Sequence, residues 1–382
     1  MIGFRRKNLI GLDIDTTAVR MVQLRREDDA YTVTGASATE IAPWGDDPEL
    51  HRIHTIRAIQ QGLSQRSIRG RLAVCGVRGP EVVVRSFEFP VLPPEEIGSA
   101  VGLEASQICP FSAQESTFDY QVTSIDARKT RGFWVAANNS LIRSTRHLVH
   151  QAGLHCAMID VAGLALLNCV QNATSKTDAA QDPSDVPDNT AVVDIGGSCT
   201  TIAIVDQAGR PFVRDINSGS DEILRQMAQA AQVPLESAKT ALWNYGVEPS
   251  AAEKAEGEAA GSRAESNALL WDNLEGACAV LVDDIATTLR YYAAQHGSGL
   301  PQQGAAMGGP ASRVERLLVC GAFSKVTEFI ELLRSKLYVD VTAWNPIETM
   351  PCAAAKARSL APVLQEAGSS MSLAAGLAMR CL

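Results

Sequence analysis

The sequence predicts an α/β protein built from two related halves that face one shared phosphate site. Two stretches carry that prediction. Ala191 to Val205, AVVDIGGSCTTIAIV, runs an apolar strand into Asp194, turns through Gly196 and Gly197, and returns as a β-branched strand from Thr200. Leu9 to Arg26, LIGLDIDTTAVRMVQLRR, repeats the plan with Asp13, a turn holding Thr16 and Thr17, and a strand carrying Val19, Met21, Val22 and Leu24. A glycine turn lets backbone N–H groups approach an anion closely, and a carboxylate at a strand end can hold a hydrated divalent metal. Either turn alone is equally a plain hairpin. Its occurrence twice in one chain points to duplicated α/β halves.

Each element follows in order. After the first strand pair, Tyr31 to Ile41 reads as a third antiparallel strand, and Pro48 to Leu63 as a helix with Ile53, Ile56 and Ile59 on one face. Arg71 to Val77 and Val82 to Phe89 are strands separated by the Gly79-Pro80 turn. Glu95 to Ile108 has helical spacing; strands Thr117 to Thr123 and Gly132 to Ala137 and helix Leu141 to Ala152 complete a small inset of about 90–152. His155 to Asp160 returns to the main sheet, and Val161 to Val170 is an apolar helix. Residues 1–171 therefore form the first half. The polar stretch Asn172 to Asn189, with Pro183 and Pro187, reads as a linker over 172–190.

The second half spans 191–350. Asp221 to Ala231 and Pro234 to Tyr245 are helices, and Pro249 to Ser266 is a weak surface helix or a loop. Leu269 to Tyr292 is a long amphipathic helix, followed by a Gly, Pro and Gln tract from Gly297 to Ser312 that reads as a flexible loop. Strand Arg316 to Val319, turn Cys320 to Ser324, helix Lys325 to Leu337 and strand Val339 to Thr342 make a corner where a helix N-terminus meets a strand end. Residues 351–382 form a helical segment returning to the first half, and Met371 to Leu382 is apolar almost all round but for Arg380, so it reads as a buried terminal helix in preference to an amphipathic membrane anchor.

Composition bounds the function. The 382 residues suffice for two domains with a large core, and 34 basic against 43 acidic residues leave a net charge of −9, which argues against nucleic acid as a ligand. Nine scattered cysteines show neither a C-x-x-C pair nor a Cys/His cluster, so a reducing cytosol fits better than a disulfide framework or a zinc site. Arg5, Arg6 and Lys7 precede an apolar run, but Asp13 and Asp15 interrupt it, so it reads as a solvated basic tail rather than a signal peptide. No stretch approaches the roughly twenty apolar residues that a spanning helix needs.

The paired Asp turns resemble the two phosphate loops of the actin-like ATPase superfamily. Glu104 to Gln121, EASQICPFSAQESTFDYQ, is similar to the E-A-x-x-x-x-P-F-x-x-x-E segment of its PilM family, relatives of the cell-division protein FtsA. Ile159 to Leu167 resembles that family's D-V-E-A-L-A-L segment, and Val314 to Pro346 its adenosine loop, following helix and closing N-P. The resemblance implies an actin-like (ribonuclease H-like) fold: duplicated domains around a nucleotide cleft, with the inset as the subdomain called 1C. It implies ATP or ADP with Mg as ligand, the metal held through water by Asp13 and Asp194. Phosphate, ribose and base then fall to Asp13, Thr16, Thr17, Arg20, Asp194, Gly196, Gly197, Ser198, Gly219, Glu236, Lys239, Gly321, Ala322 and Phe323.

Departures from the family pattern weaken the expected binding. Arg20 stands for a lysine, and Asp15 replaces a glycine, so its carboxylate repels the nucleotide, demands a metal between them, or turns outward to cap the bend. Cys320, Gly321 and Ala322 stand where the family has three glycines, and Phe323 stacks on a purine or occupies its place. Glu236 and Lys239, one helical turn apart, match the family's E-x-x-K but equally suit an exposed ion pair. Ala162 offers only a methyl where the family has a group that orients attacking water, leaving Asp160 as a metal-water candidate or a helix cap. The expectation is therefore weak nucleotide binding without turnover and no assigned catalytic residue. By resemblance the chain is a cytoplasmic scaffold of a type IV pilus or related secretion machine. Its partner is a PilN-like inner-membrane protein, whose cytoplasmic N-terminal peptide lies in the groove between subdomains 1A and 1C. Membrane contact is then indirect, and self-association is allowed. The rivals are an FtsA-like filament former and an actin-fold kinase.

Overall fold

The computed structural model describes residues 9–27, 30–45, 47–65, 68–112, 114–177, 190–206, 209–243, 269–296 and 314–380. β1 (Ile10–Ile14) lies antiparallel to β2 (Ala18–Glu27), which places Asp13 opposite Arg20, and β3 (Ala30–Glu40) pairs with the far side of β2. β4 (Leu72–Val77) and β8 (His155–Val161) extend this sheet in parallel, in the order β3-β2-β1-β4-β8. A second sheet repeats the order with β9 (Thr190–Ile195), β10 (Thr200–Val205), β11 (Pro211–Ile216), β12 (Arg316–Gly321) and β13 (Asp340–Ala343), arranged β11-β10-β9-β12-β13. Asp194 there stands opposite Thr201, the place that Asp13 and Arg20 hold in the first sheet.

The inset is a third sheet, ordered β5-β7-β6, of β5 (Val82–Pro90), β6 (Ser116–Ile125) and β7 (Lys129–Asn138). The sequence reading starts the inset near Pro90, but β5 pairs with β7 along its whole length and belongs to this sheet.

Local chemistry starts and stops the helices. α1 (Pro48–Ser64) opens on Asp47, whose carboxylate accepts from the N–H groups of Glu49 and Leu50. α2 (Pro94–Ile108) lays Ile97, Val101 and Ala105 on the small sheet, and α3 (Asn139–Gln151) is capped by Asn138, which accepts from Ser140 N. α4 (Ala162–Thr177) outruns its expected end at Val170, because polar residues continue a helix once apolar ones have anchored it. In the second half come α5 (Ser220–Ala230), α6 (Leu235–Trp243), α7 (Leu274–His296) and α8 (Thr327–Leu337). α9 (Ala357–Ala367) and α10 (Ser372–Met379) follow β13. The tracts expected at Pro249 to Ser266 and Gly297 to Ser312 lie outside the described residues, as does the linker beyond Thr177.

Alternation along the strands sorts the core into layers. Ile10 and Leu12 of β1 face Ile59 of α1 and Val149 of α3. Val193 and Ile195 of β9 face a core shared with α5, α7 and α8, through Met227, Ile285 and Phe329 among others. The intervening residue Val192, with Ala203, Val213 and Cys320, turns the other way, onto Ala162, Ala165 and Leu166 of α4 and Leu373 and Leu377 of α10. Val74 of the first sheet joins the same cluster. α4 and α10 are thus a middle layer between the two large sheets, and the halves share a core beneath their cleft.

Candidate functional site

The two sheets bring their first strands together at one cleft. Asp13 and Asp194 lie on either side of it, 3% and 4% exposed. The group between them is one that the sequence reading did not single out. Arg78, the residue after β4, donates Nη2 to Asp13 Oδ1 at 3.0 Å and Nη1 to Asp194 Oδ2 at 3.1 Å. Its fork matches one oxygen from each half. Arg20 approaches from β2, with Nη1 3.5 Å from Asp13 Oδ2 and 3.4 Å from Asp15 Oδ2.

Asp15 decides the character of the site. Of the readings open to it, the outward-turned one is excluded: its side chain is buried. Oδ1 accepts from Thr16 N and Oδ2 from Gly197 N, both at 2.8 Å, and Arg78 Nη2 lies 3.7 Å from Oδ1. Gly197 is the donor in the second glycine turn, so a carboxylate from the first half is bound by the phosphate-type turn of the second. The approach is close enough that a Cβ on Gly197 would sit 2.1 Å from Thr16 Oγ1. Thr16 Oγ1 itself crosses the cleft and donates to Asp221 Oδ2 at 2.8 Å, at the first turn of α5. A further crossing bond runs from Gly79 N to Asp215 Oδ2 at 2.7 Å, while Thr201 Oγ1 holds the other Asp215 oxygen.

Burial and charge set the protonation of this cluster. Burial pushes the Asp13 carboxyl up to about 6 against the pull of Arg78 and Arg20. Burial likewise raises Asp194, with the same two guanidinium groups opposing. Burial would raise Asp15 too, but Arg78, Arg20 and the N–H groups of Gly197 and Thr16 outweigh it and hold the carboxyl below its ordinary value. Burial disfavours the Arg78 cation, yet the carboxylates of Asp13, Asp15 and Asp194 outweigh it and keep the group well above its usual range.

The remaining residues divide. Gly196 O accepts from Ser220 N and Gly197 O from Asp221 N, both at 2.9 Å, so the second glycine turn rests on the start of α5 at Gly219. Ser198 is exposed, and Thr17 O accepts from Ile41 N at 2.8 Å. Lys239 pairs with the exposed Glu236 at 3.0 Å, while burial raises the Asp221 carboxyl against the pull of the Thr16 hydroxyl and, more weakly, of Lys239. Gly321 has φ 87°, and Ala322 N donates to Ile195 O at 2.9 Å. Phe323 neither stacks in the cleft nor lines it: it is fully buried against Phe329, ring centroids 5.5 Å apart. Ala162 is buried in the middle layer, and Asp160 is held 3.1 Å from Arg380 Nε, beyond α10.

As these side chains stand, the cleft does not fit a magnesium polyphosphate. The carboxylates that would hold the metal's water hold a guanidinium, and the Gly197 N–H that would meet a phosphate oxygen meets Asp15. Among the described residues, no group of three or more His, Cys, Asp or Glu could hold a metal ion directly.

The strand registers show what Arg78 corresponds to in the second half. Leu12, before Asp13, pairs with Cys75, and Val193, before Asp194, pairs with Val319. Three residues on from each, Arg78 occupies the place in the first half that Ala322 holds in the second. The two strand-end corners are equivalent, and the resemblance to the family's adenosine loop marks only the second.

Two sheets of one strand order facing a single cleft define an actin-like protein. The chain belongs to the PilM family of type IV pilus assembly proteins, whose model matches residues 11–253. It is similar in structure to a chain of a PilM-PilN type IV pilus biogenesis complex, with a TM-score of 0.74 at 19% identity, covering 98% of this chain and 99% of that one. It is also similar to the ethanolamine utilization protein EutJ from Carboxydothermus hydrogenoformans, with a TM-score of 0.51 at 13% identity, covering 97% and 88%.

Proposed function

We propose that the protein is a PilM-type scaffold of a type IV pilus or related secretion machine, which docks the cytoplasmic N-terminal peptide of a PilN-like inner-membrane protein. The observation that supports this best is the similarity to a chain of the PilM-PilN complex over 98% of the present chain. No helix among the described residues is long and apolar enough to cross a membrane, so in this reading the partner supplies the membrane contact. The inset leaves Phe118, Tyr120 and Ile125 of β6 and Leu103 and Ile108 of α2 exposed, an apolar surface of the kind that protein partners cover.

ATP or ADP with Mg enters this reading only as a weak ligand, because it must displace the Asp15 carboxylate and the Arg78 guanidinium. The retained groups for it are Asp13, Thr16, Arg20, Asp194, Gly196, Gly197, Glu236 and Lys239. Turnover is not part of the proposal, since Ala162 brings no group that orients water. Co-purification of the tagged chain from native membranes tests the scaffold. A pilus or secretion inner-membrane protein in the eluate is the expected result; strong binding of the purified chain to bare lipid vesicles in flotation would favour the FtsA-like alternative instead.

A further inference from the structure

We propose that the cleft supplies its own ligand: the Asp15 carboxylate takes the place of a phosphate and the Arg78 guanidinium that of the metal, so that the two halves are clasped without nucleotide. This rests on the reading of the cleft as the fold's nucleotide site. Asp15 is coordinated as a bound anion would be, by a backbone N–H from each of the two opposed turns, Thr16 and Gly197, with Arg20 beside it. Arg78 is coordinated as a bound cation would be, by one carboxylate oxygen from each half. The two departures are complementary. A carboxylate at position 15 alone would add a third negative charge to Asp13 and Asp194, and the guanidinium that relieves this lies within 3.7 Å of all three.

The cation is also supplied from one side only. Its counterpart in the second half, Ala322, carries no charge, so the first half reaches across with Arg78 and Asp15 while the second offers Asp194 and Gly197 N as receptors. Thr16 to Asp221 and Gly79 to Asp215 add neutral-to-charged bonds across the same line. Beneath them the shared middle layer joins the halves whatever the cleft holds. The scaffold's shape is therefore set by the chain itself, and the nucleotide becomes a competitor of the clasp rather than its cause.

The test uses the full chain, with Mg-ADP and Mg2+ as probes and calorimetry, thermal unfolding and small-angle scattering as readouts. Wild type is expected to melt at the same temperature with and without millimolar Mg2+, and to keep one radius of gyration when Mg-ADP is added. Asp15→Gly should bind Mg-ADP at least tenfold more tightly than wild type, because Gly197 N is released and a negative charge is gone. Arg78→Ala should melt lower in chelator and recover on addition of Mg2+, which returns a cation to Asp13 and Asp194. Should Arg78→Ala fail to fold, Arg78→Lys carries the same test, since one ammonium does not span two carboxylates and leaves Mg2+ a place. Micromolar Mg-ADP binding by wild type that Asp15→Gly leaves unchanged would overturn the proposal, as would Arg78 variants indifferent to Mg2+. Mg2+ rescue without ADP uptake by any variant supports the clasp and removes the nucleotide reading on which it was framed, so the two failures are distinguishable.

Discussion

Asp13 and Asp15 point into the same cluster and titrate in opposite directions. Asp13 rises from 3.8 to about 6 because burial dominates, so its folded form holds a proton that the unfolded chain has already lost. Its contribution to stability is complete below about pH 4 and is lost as pH rises through 6. Asp15 is lowered, so its contribution is present above its unfolded value and is lost as pH falls through the folded one. Replacing Asp13 with Asn removes the first titration and leaves the second. Between pH 4 and pH 7, wild type should therefore lose stability relative to Asp13→Asn by on the order of 2 kcal/mol, measured by urea unfolding at each pH. A difference independent of pH would contradict the assignment. At this scale the sequence shows Asp13 and Asp194 plainly, because a strand ending in Asp before a turn is a local pattern. Arg78 carries no such pattern: its meaning comes from partners on β1, β9 and the turn after β1, which only the folded sheets bring together.

Among the elements, α10 shows how tightly the middle layer is built. It crosses β1 directly over Gly11, where an added Cβ would lie 1.9 Å from Ala374 O, and its Gly376 would meet Ala165 O of α4 at the same distance. Gly11→Ala should therefore destabilise the protein by about 2–3 kcal/mol, since backbone on both sides has to move. Gly276 offers the contrast: it is exposed inside α7 with nothing within 4 Å of an added Cβ. Gly276→Ala should stabilise by about 0.5–1 kcal/mol through helix propensity alone. Thermal unfolding of the two variants reads both, and equal shifts would refute the packing account. Strands and buried helices are legible wherever apolar spacing repeats, which is why β1, β9 and α10 are found. Boundaries set by propensity are less so, as α4 continuing to Thr177 shows. That β5 shares a sheet with β7 is a matter of long-range pairing and is invisible to local periodicity.

The molecule as a whole joins its halves twice, by charge at the cleft and by α4 and α10 beneath it. Val192 and Val213 of the second sheet and Val74 of the first belong to one apolar cluster with Ala162, Leu166 and Leu377. Neither half can lose this layer and keep its own core. Calorimetry should accordingly give a single unfolding transition in place of one per half, and two resolved peaks would mean that the shared layer is not binding the halves together. The layer also fixes an order of events during synthesis. α10 covers β1 and β2 and α9 packs on β3, yet both helices leave the ribosome more than 300 residues after those strands. Over β1 and β2 that face of the first sheet stays incompletely covered until Met379 has emerged, while the second sheet's core around Ile285 and Phe329 is already complete. The strands made first are the last to be finished, and the nascent chain must shelter them in the meantime.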